Sequence, residues 1–103
     1  MNTEQDFNGW TNRETWATAL WINNDQGLYY HALDMANGYE DDKEGLAEAI
    51  EEWVTELLDM EEVLSAPPAQ RKELISMSSD IGSLFRVNWQ EIADTFIEES
   101  ATV

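Results

Sequence analysis

Apolar residues recur along the chain at steps of three and four, the spacing of a helix face. Nowhere do they alternate as a half-buried strand requires. Trp16, Ala17, Leu20 and Trp21 form the first such face. Thr11 stands ahead of them with Glu14 three residues on, the reciprocal pair of a capping box. Asn23-Asn24-Asp25 interrupts the pattern, and Asp25 is placed to cap a second helix carrying Leu28, Tyr29, Ala32, Leu33 and Ala36. Asn37-Gly38 predicts the end of that helix, since glycine accepts the left-handed conformation there. The third face is the longest. Leu46, Ile50, Trp53, Val54, Leu57, Met60 and Leu64 predict one helix from about Asp42 to Leu64. Ala66-Pro67-Pro68 closes it and opens the next, because proline is excluded from a helix interior but suits a first turn. That helix carries Leu74, Ile75 and Met77 and weakens at Ser78-Ser79. A short helix is predicted over Asp80 to Val87, with Ile81, Leu84 and Phe85 facing inward. Asn88 caps the last helix with Glu91 at the reciprocal position, and Trp89, Ile92, Ala93, Phe96 and Ile97 make its buried stripe.

These elements predict an all-α fold, a single compact bundle of about five helices within 103 residues. Residues 1–9 and 99–103 are expected to be loose. The prolines mark a turn and not a domain boundary, because neither half holds enough apolar residues to stand alone. The hydrophobic fraction of 43% and the five tryptophans argue against a disordered acidic chain.

Charge changes the picture most. Twenty-two Asp and Glu face five Lys and Arg, a formal charge of -17. A small domain needs a net charge of only about 2–8 for solubility. Half of the acids fall between Glu40 and Glu62, with Lys43 as the one base among them. Asp41, Glu44, Glu48, Glu51, Glu52, Asp59 and Glu62 recur at helical steps opposite Leu46, Ile50, Trp53 and Leu57. On one predicted helix they form a carboxylate stripe repeating roughly every 5–6 Å along the axis. That is the order of the spacing of about 3.4 Å between phosphates along one DNA strand. Nucleic acid and anionic membrane surfaces are therefore repelled, and basic surfaces attracted.

Other chemistry finds little support in the residues. No cysteine is present, which removes disulfides and thiolate catalysis. His31 is the only histidine and lacks nucleophile or ligand company, while Ser78, Ser79 and Ser83 have no base at a recognisable spacing. Glu40-Asp41-Asp42 is a dense cluster without the alternating acids and central glycine of a calcium loop, so no metal or other cofactor is expected. Isolated glycines match no phosphate-cradling motif, and Arg13, Lys43, Arg71, Lys72 and Arg86 make no basic patch. No apolar run approaches the roughly 18 residues of a membrane span. Met1 to Phe7 is polar and acidic, unlike a signal peptide, which predicts a cytosolic protein.

Two segments stand out as motifs. Asn8-Gly9-Trp10-Thr11-Asn12-Arg13-Glu14-Thr15-Trp16 opens the chain, and Asn88-Trp89-Gln90-Glu91-Ile92-Ala93 lies near its end. With Leu20-Trp21 and Trp53-Val54 between them, they resemble a family of small phage- and mobile-element-borne proteins with an Asn-Gly-Trp-Thr-Asn-x-Glu-Thr-Trp start and an Asn-Trp-x-Glu-Ile-Ala close. The resemblance covers nearly the whole chain and supplies context without a mechanism. In that context the charge resembles that of DNA-mimic proteins that block restriction enzymes or CRISPR effectors.

The expected function is thus non-catalytic. Glu40, Asp41, Glu44, Glu48, Glu51, Glu52, Glu56 and Asp59 would engage the basic surface of a host nucleic-acid-binding protein, with Trp10 as an interfacial aromatic. The rival reading is an adaptor that binds another protein through Trp10 and neighbouring apolar residues. A homodimer remains open on either reading.

Overall fold

The asparagine at position 12 starts the first helix. In the computed structural model, which describes residues 9–39 and 41–102, the Asn12 side chain accepts the Thr15 N–H at 2.9 Å. α1 then runs Arg13–Asn24. The predicted cap, Thr11, lies one residue too early. Its own N–H instead donates to Glu91 Oε1 at 3.0 Å, and Glu14 pairs with Arg86. Asp25 caps α2 (Gln26–Gly38) as its position implies, accepting from Leu28 N–H at 3.0 Å. Gly38 ends α2 without turning left-handed, because the Tyr39 N–H reaches the Ala36 carbonyl at 3.2 Å and tightens the last turn.

The long third helix divides in two. α3 spans Lys43–Leu57, capped by Asp42, and α4 spans Met60–Ser65. The break comes from Asp59. Its backbone is extended (φ -63°, ψ 136°), and its carboxylate accepts the Glu61 N–H at 3.3 Å. Asp59 followed by Glu61 and Glu62 is a helix-start pattern, acidic residues at a positive helix end. It lies inside an apolar periodicity that runs on without a gap. Only Val63 of α4 is buried, while Met60 and Leu64, predicted as core, are 66% and 59% exposed.

Pro68 occupies the first turn of α5 (Pro68–Ile81), which continues through the serines. It stops at Gly82, whose φ of 86° is reached cheaply only without a Cβ. The predicted helix over Asp80–Val87 therefore shrinks to a 3-10 turn, Leu84–Arg86. Phe85 faces solvent completely, against the expectation that it points inward. Ile75 and Leu20 are likewise exposed. α6 runs Trp89–Thr102 and continues through positions where the sequence predicts fraying.

Among the described residues the fold is all-α, with no strand. α6 lies at the centre and packs against α3, α2 and α1, while α5 packs on α1 and α4. Ile22, Leu46, Ile50, Val54, Met77, Ile81, Ile92 and Phe96 are essentially inaccessible and share one core. Each such side chain contributes about 1.5–3 kcal/mol through removal from water. The radius of gyration of 13.8 Å is close to the roughly 13 Å expected of a compact chain of this length.

Candidate functional site

Two polar regions differ from ordinary surface. The first joins the two sequence motifs. Thr15 is fully buried at the start of α1, and its hydroxyl donates to Asn12 Oδ1 at 2.7 Å and accepts the Asn88 N–H at 2.8 Å. Asn12 Nδ2 donates to the Arg86 carbonyl at 2.8 Å. Asn88 caps α6 through the Glu91 N–H at 3.2 Å, as the sequence predicts, and Glu91 reaches across to Thr11. Arg13 donates to the carbonyls of Asp80 and Ile81 at 2.8 and 3.0 Å, placing a cation on the negative end of α5. Arg86 Nε meets Glu14 at 3.2 Å. The start of α1, the end of α5, the 3-10 turn and the start of α6 are thereby locked together. Trp10 packs half-buried against the core. Among the described residues, Asn12, Arg13, Thr15, Asn88 and Glu91 of the two motifs are thus engaged within the fold.

The second region is the outer arc of α3. Glu44, Glu48, Glu52 and Glu56 stand at four-residue steps, with Glu51 three residues after Glu48. All five are exposed, while Leu46, Ile50 and Val54 on the opposite arc are inaccessible. Glu56 lies twelve positions beyond Glu44, so the row is about 18 Å long at 1.5 Å per residue. No base lies on this arc. Lys43, the nearest in sequence, turns toward α6 and pairs with Asp94 at 3.5 Å. Arg71 donates to the Ala66 carbonyl at 3.2 Å. With Arg13 and Arg86 in the seam, these contacts tie four of the chain's five bases to the fold. The carboxylates are left to dominate the surface.

The structure brings Glu44, Glu48, Glu51, Glu52 and Glu56 into one row and keeps Asp41 exposed near its start. Glu40 lies outside the described residues. Asp59 is exposed but serves as the α4 cap, and with Glu62 it sits beyond the break. The single stripe predicted up to Glu62 therefore ends at Glu56. An open concavity of about 540 Å³ follows, lined by Trp53, Thr55, Glu56, Leu57, Asp59 and Glu62. His31 is exposed and meets Trp53 in a tilted ring contact, centroids 4.5 Å apart and planes at 47°. Among the described residues no group of three acids or histidines is arranged to hold a metal ion. Nor is any helix long and apolar enough to cross a membrane.

A family model matches residues 3–100, nearly the full length of the chain and both motifs. The chain belongs to the family of unknown function DUF7249. No curated protein and no solved structure matches it. Membership assigns the chain no activity. The role of the motif residues in this member is the seam just described, where each of Asn12, Thr15, Asn88 and Glu91 holds a hydrogen bond across elements or at a cap. Sequence reasoning missed Thr15 as the hub, because a threonine on a helical apolar face reads as neutral filler. It also missed the Trp53 concavity, which exists only because α3 ends at Leu57.

Proposed function

We propose that this protein is a non-catalytic inhibitor, carried by a phage or mobile element. Its α3 carboxylate row would occupy the nucleic-acid-binding surface of a host defence protein, of the restriction or CRISPR type, in the host cytosol. The observation that carries this reading is the row from Glu44 to Glu56, exposed along its length and free of any base, in a chain of charge -17. Like charges at three- and four-residue steps destabilise a helix by about 0.2–0.5 kcal/mol per pair. Keeping them there without neutralising partners makes sense where the field itself is used. A dense negative row speeds encounter with a basic groove and competes with the polymer that normally fills it.

The test is capture from the host followed by competition. The wild type should retain a nucleic-acid-binding protein that duplex DNA displaces, and retention should fall steeply with salt. A variant carrying Glu48→Gln, Glu51→Gln, Glu52→Gln and Glu56→Gln should lose it. A partner that the variant still holds, or that DNA does not displace, refutes the reading.

One observation favours the adaptor reading in altered form. Trp10 packs against the core, whereas Phe85 stands fully exposed on the 3-10 turn. An adaptor would use Phe85 as its apolar anchor. Phe85→Ser would then abolish a salt-resistant interaction that the glutamine variant retains.

A further inference from the structure

The break at Asp59 leaves α3 and α5 bridged by the short α4, and a furrow opens along that junction. The concavity at Trp53 adjoins a second, of about 250 Å³, through Leu57 and Glu62. The second adjoins a third, of about 240 Å³, through Leu57, Gln70 and Leu74, and this one extends to Trp21 and Met77. Leu57 lines all three. Apolar side chains run along the furrow floor, Leu57 and Trp53 half-buried and Leu74 9% exposed, with Thr55, Ser65 and Gln70 among them. Carboxylates line the sides, with Glu56, Asp59 and Glu62 at one end and Glu73 at the other. No lysine or arginine lines any part of it.

We infer that this furrow receives an amphipathic cationic segment of the protein partner. The segment's apolar side chains lie on Leu57, Leu74 and Trp53, and its lysines or arginines face Glu56, Asp59, Glu62 and Glu73. Apolar side chains flanked by carboxylates complement that chemistry. A neutral apolar peptide leaves the rim carboxylates unpaired, and a purely basic one leaves the floor wet. Peptide recognition in apolar grooves works on the same terms, anchors giving affinity and flanking charges giving orientation. The inference rests on the reading above, that a basic partner is bound, and deepens it by naming the segment and where it lies. It also separates two kinds of contact. The outer row of α3 acts through charge alone and weakens with salt, while burial on the furrow floor persists as salt rises.

The experiment uses the intact protein and two synthetic peptides of equal charge, one of leucine and lysine at helical spacing and one with serine in place of leucine. Calorimetry at low and moderate salt gives the affinities, and methyl NMR of the protein locates binding. The leucine–lysine peptide should bind at least about tenfold tighter, a difference of roughly 1.4 kcal/mol, and the gap should persist as salt rises and weakens both. Its shifts should centre on Leu57, Leu74 and Met77. The surface variant Glu56→Gln, Asp59→Asn, Glu62→Gln, Glu73→Gln should weaken both peptides, asparagine being able to keep the α4 cap. Equal affinities, or shifts elsewhere, overturn the furrow proposal and leave the polyanion reading standing. Failure of both peptides to bind at low salt overturns the two together.

Discussion

The seam and the α3 face are both polar, and they use polarity in opposite ways. In the seam, Asn12, Thr15 and Asn88 meet donor to acceptor across elements distant in sequence, and Thr15 is wholly buried. On α3, the row from Glu44 to Glu56 projects into water. A buried polar group must find its partner because water is no longer present to serve it. An exposed carboxylate is already satisfied by solvent, and what it retains is a field. One region holds elements of the fold together, and the other is left exposed with its charge unneutralised. Distinctive motifs report the first, and bulk charge reports the second.

The sharpest contrast lies across α3 itself. Ile50→Ala on its inner arc should cost about 2–5 kcal/mol, as deletion of a fully buried branched side chain does, and denaturant unfolding would show it. Next comes the seam. Thr15→Val keeps the approximate shape but strands the Asn88 N–H and leaves Asn12 Oδ1 with the Thr15 backbone N–H alone. It should cost about 2 kcal/mol. At roughly 4–8 °C per kcal/mol, the melting temperature falls by some 8–16 °C. A loss no larger than that of an exposed substitution would remove the distinction between the regions. Gly82→Ala should cost about 1–2 kcal/mol, since its φ of 86° resists a Cβ and Arg13 Nη2 lies 3.3 Å from where one would stand.

Neutralising the face should go the other way. Glu48→Gln, Glu51→Gln, Glu52→Gln and Glu56→Gln together relieve the repulsion along the arc and should raise stability by about 1 kcal/mol at low salt, fading as salt is added. A fall in stability would mean that these carboxylates hold structure after all. The smallest effect belongs to Tyr29. Its hydroxyl donates to Glu99 at 2.8 Å, and this hydrogen bond, with burial and the carboxylate's charge, raises the phenol above its ordinary 10.0. The raised value means the folded state holds the proton more tightly. The stabilisation is complete below pH 10.0 and is lost as pH climbs from there through the raised value. Tyr29→Phe should abolish that alkaline loss in pH-dependent melting and cost little at neutral pH.

Most of the helices were legible in the sequence because their signals are local. Asp25 and Asn88 cap where their spacing says they should, and the prolines separate α4 from α5. The errors came where two local signals competed. At Leu57 to Met60 the apolar period continues, yet Asp59 finds a cap hydrogen bond and leaves the helix. At Gly82 a glycine outweighs the apolar positions that follow, and Phe85 turns outward. The outer row of the candidate site was equally legible, since Glu44 to Glu56 share one unbroken helix. The furrow was not, because Trp53, Glu62 and Leu74 stand on three separate elements.

By itself the amino-acid sequence determined the all-α class, the inner and outer arcs of α3, and the excess of negative charge. Each of these depends on residues a few positions apart or on composition alone. Only the tertiary structure decided that the two motifs form one hydrogen-bonded seam, that four of the five bases turn to partners in the fold, and that a furrow opens at Leu57. These depend on distances between groups up to some eighty residues apart, such as Thr11 and Glu91. Spacing along a chain carries no information about such a distance until packing has set it.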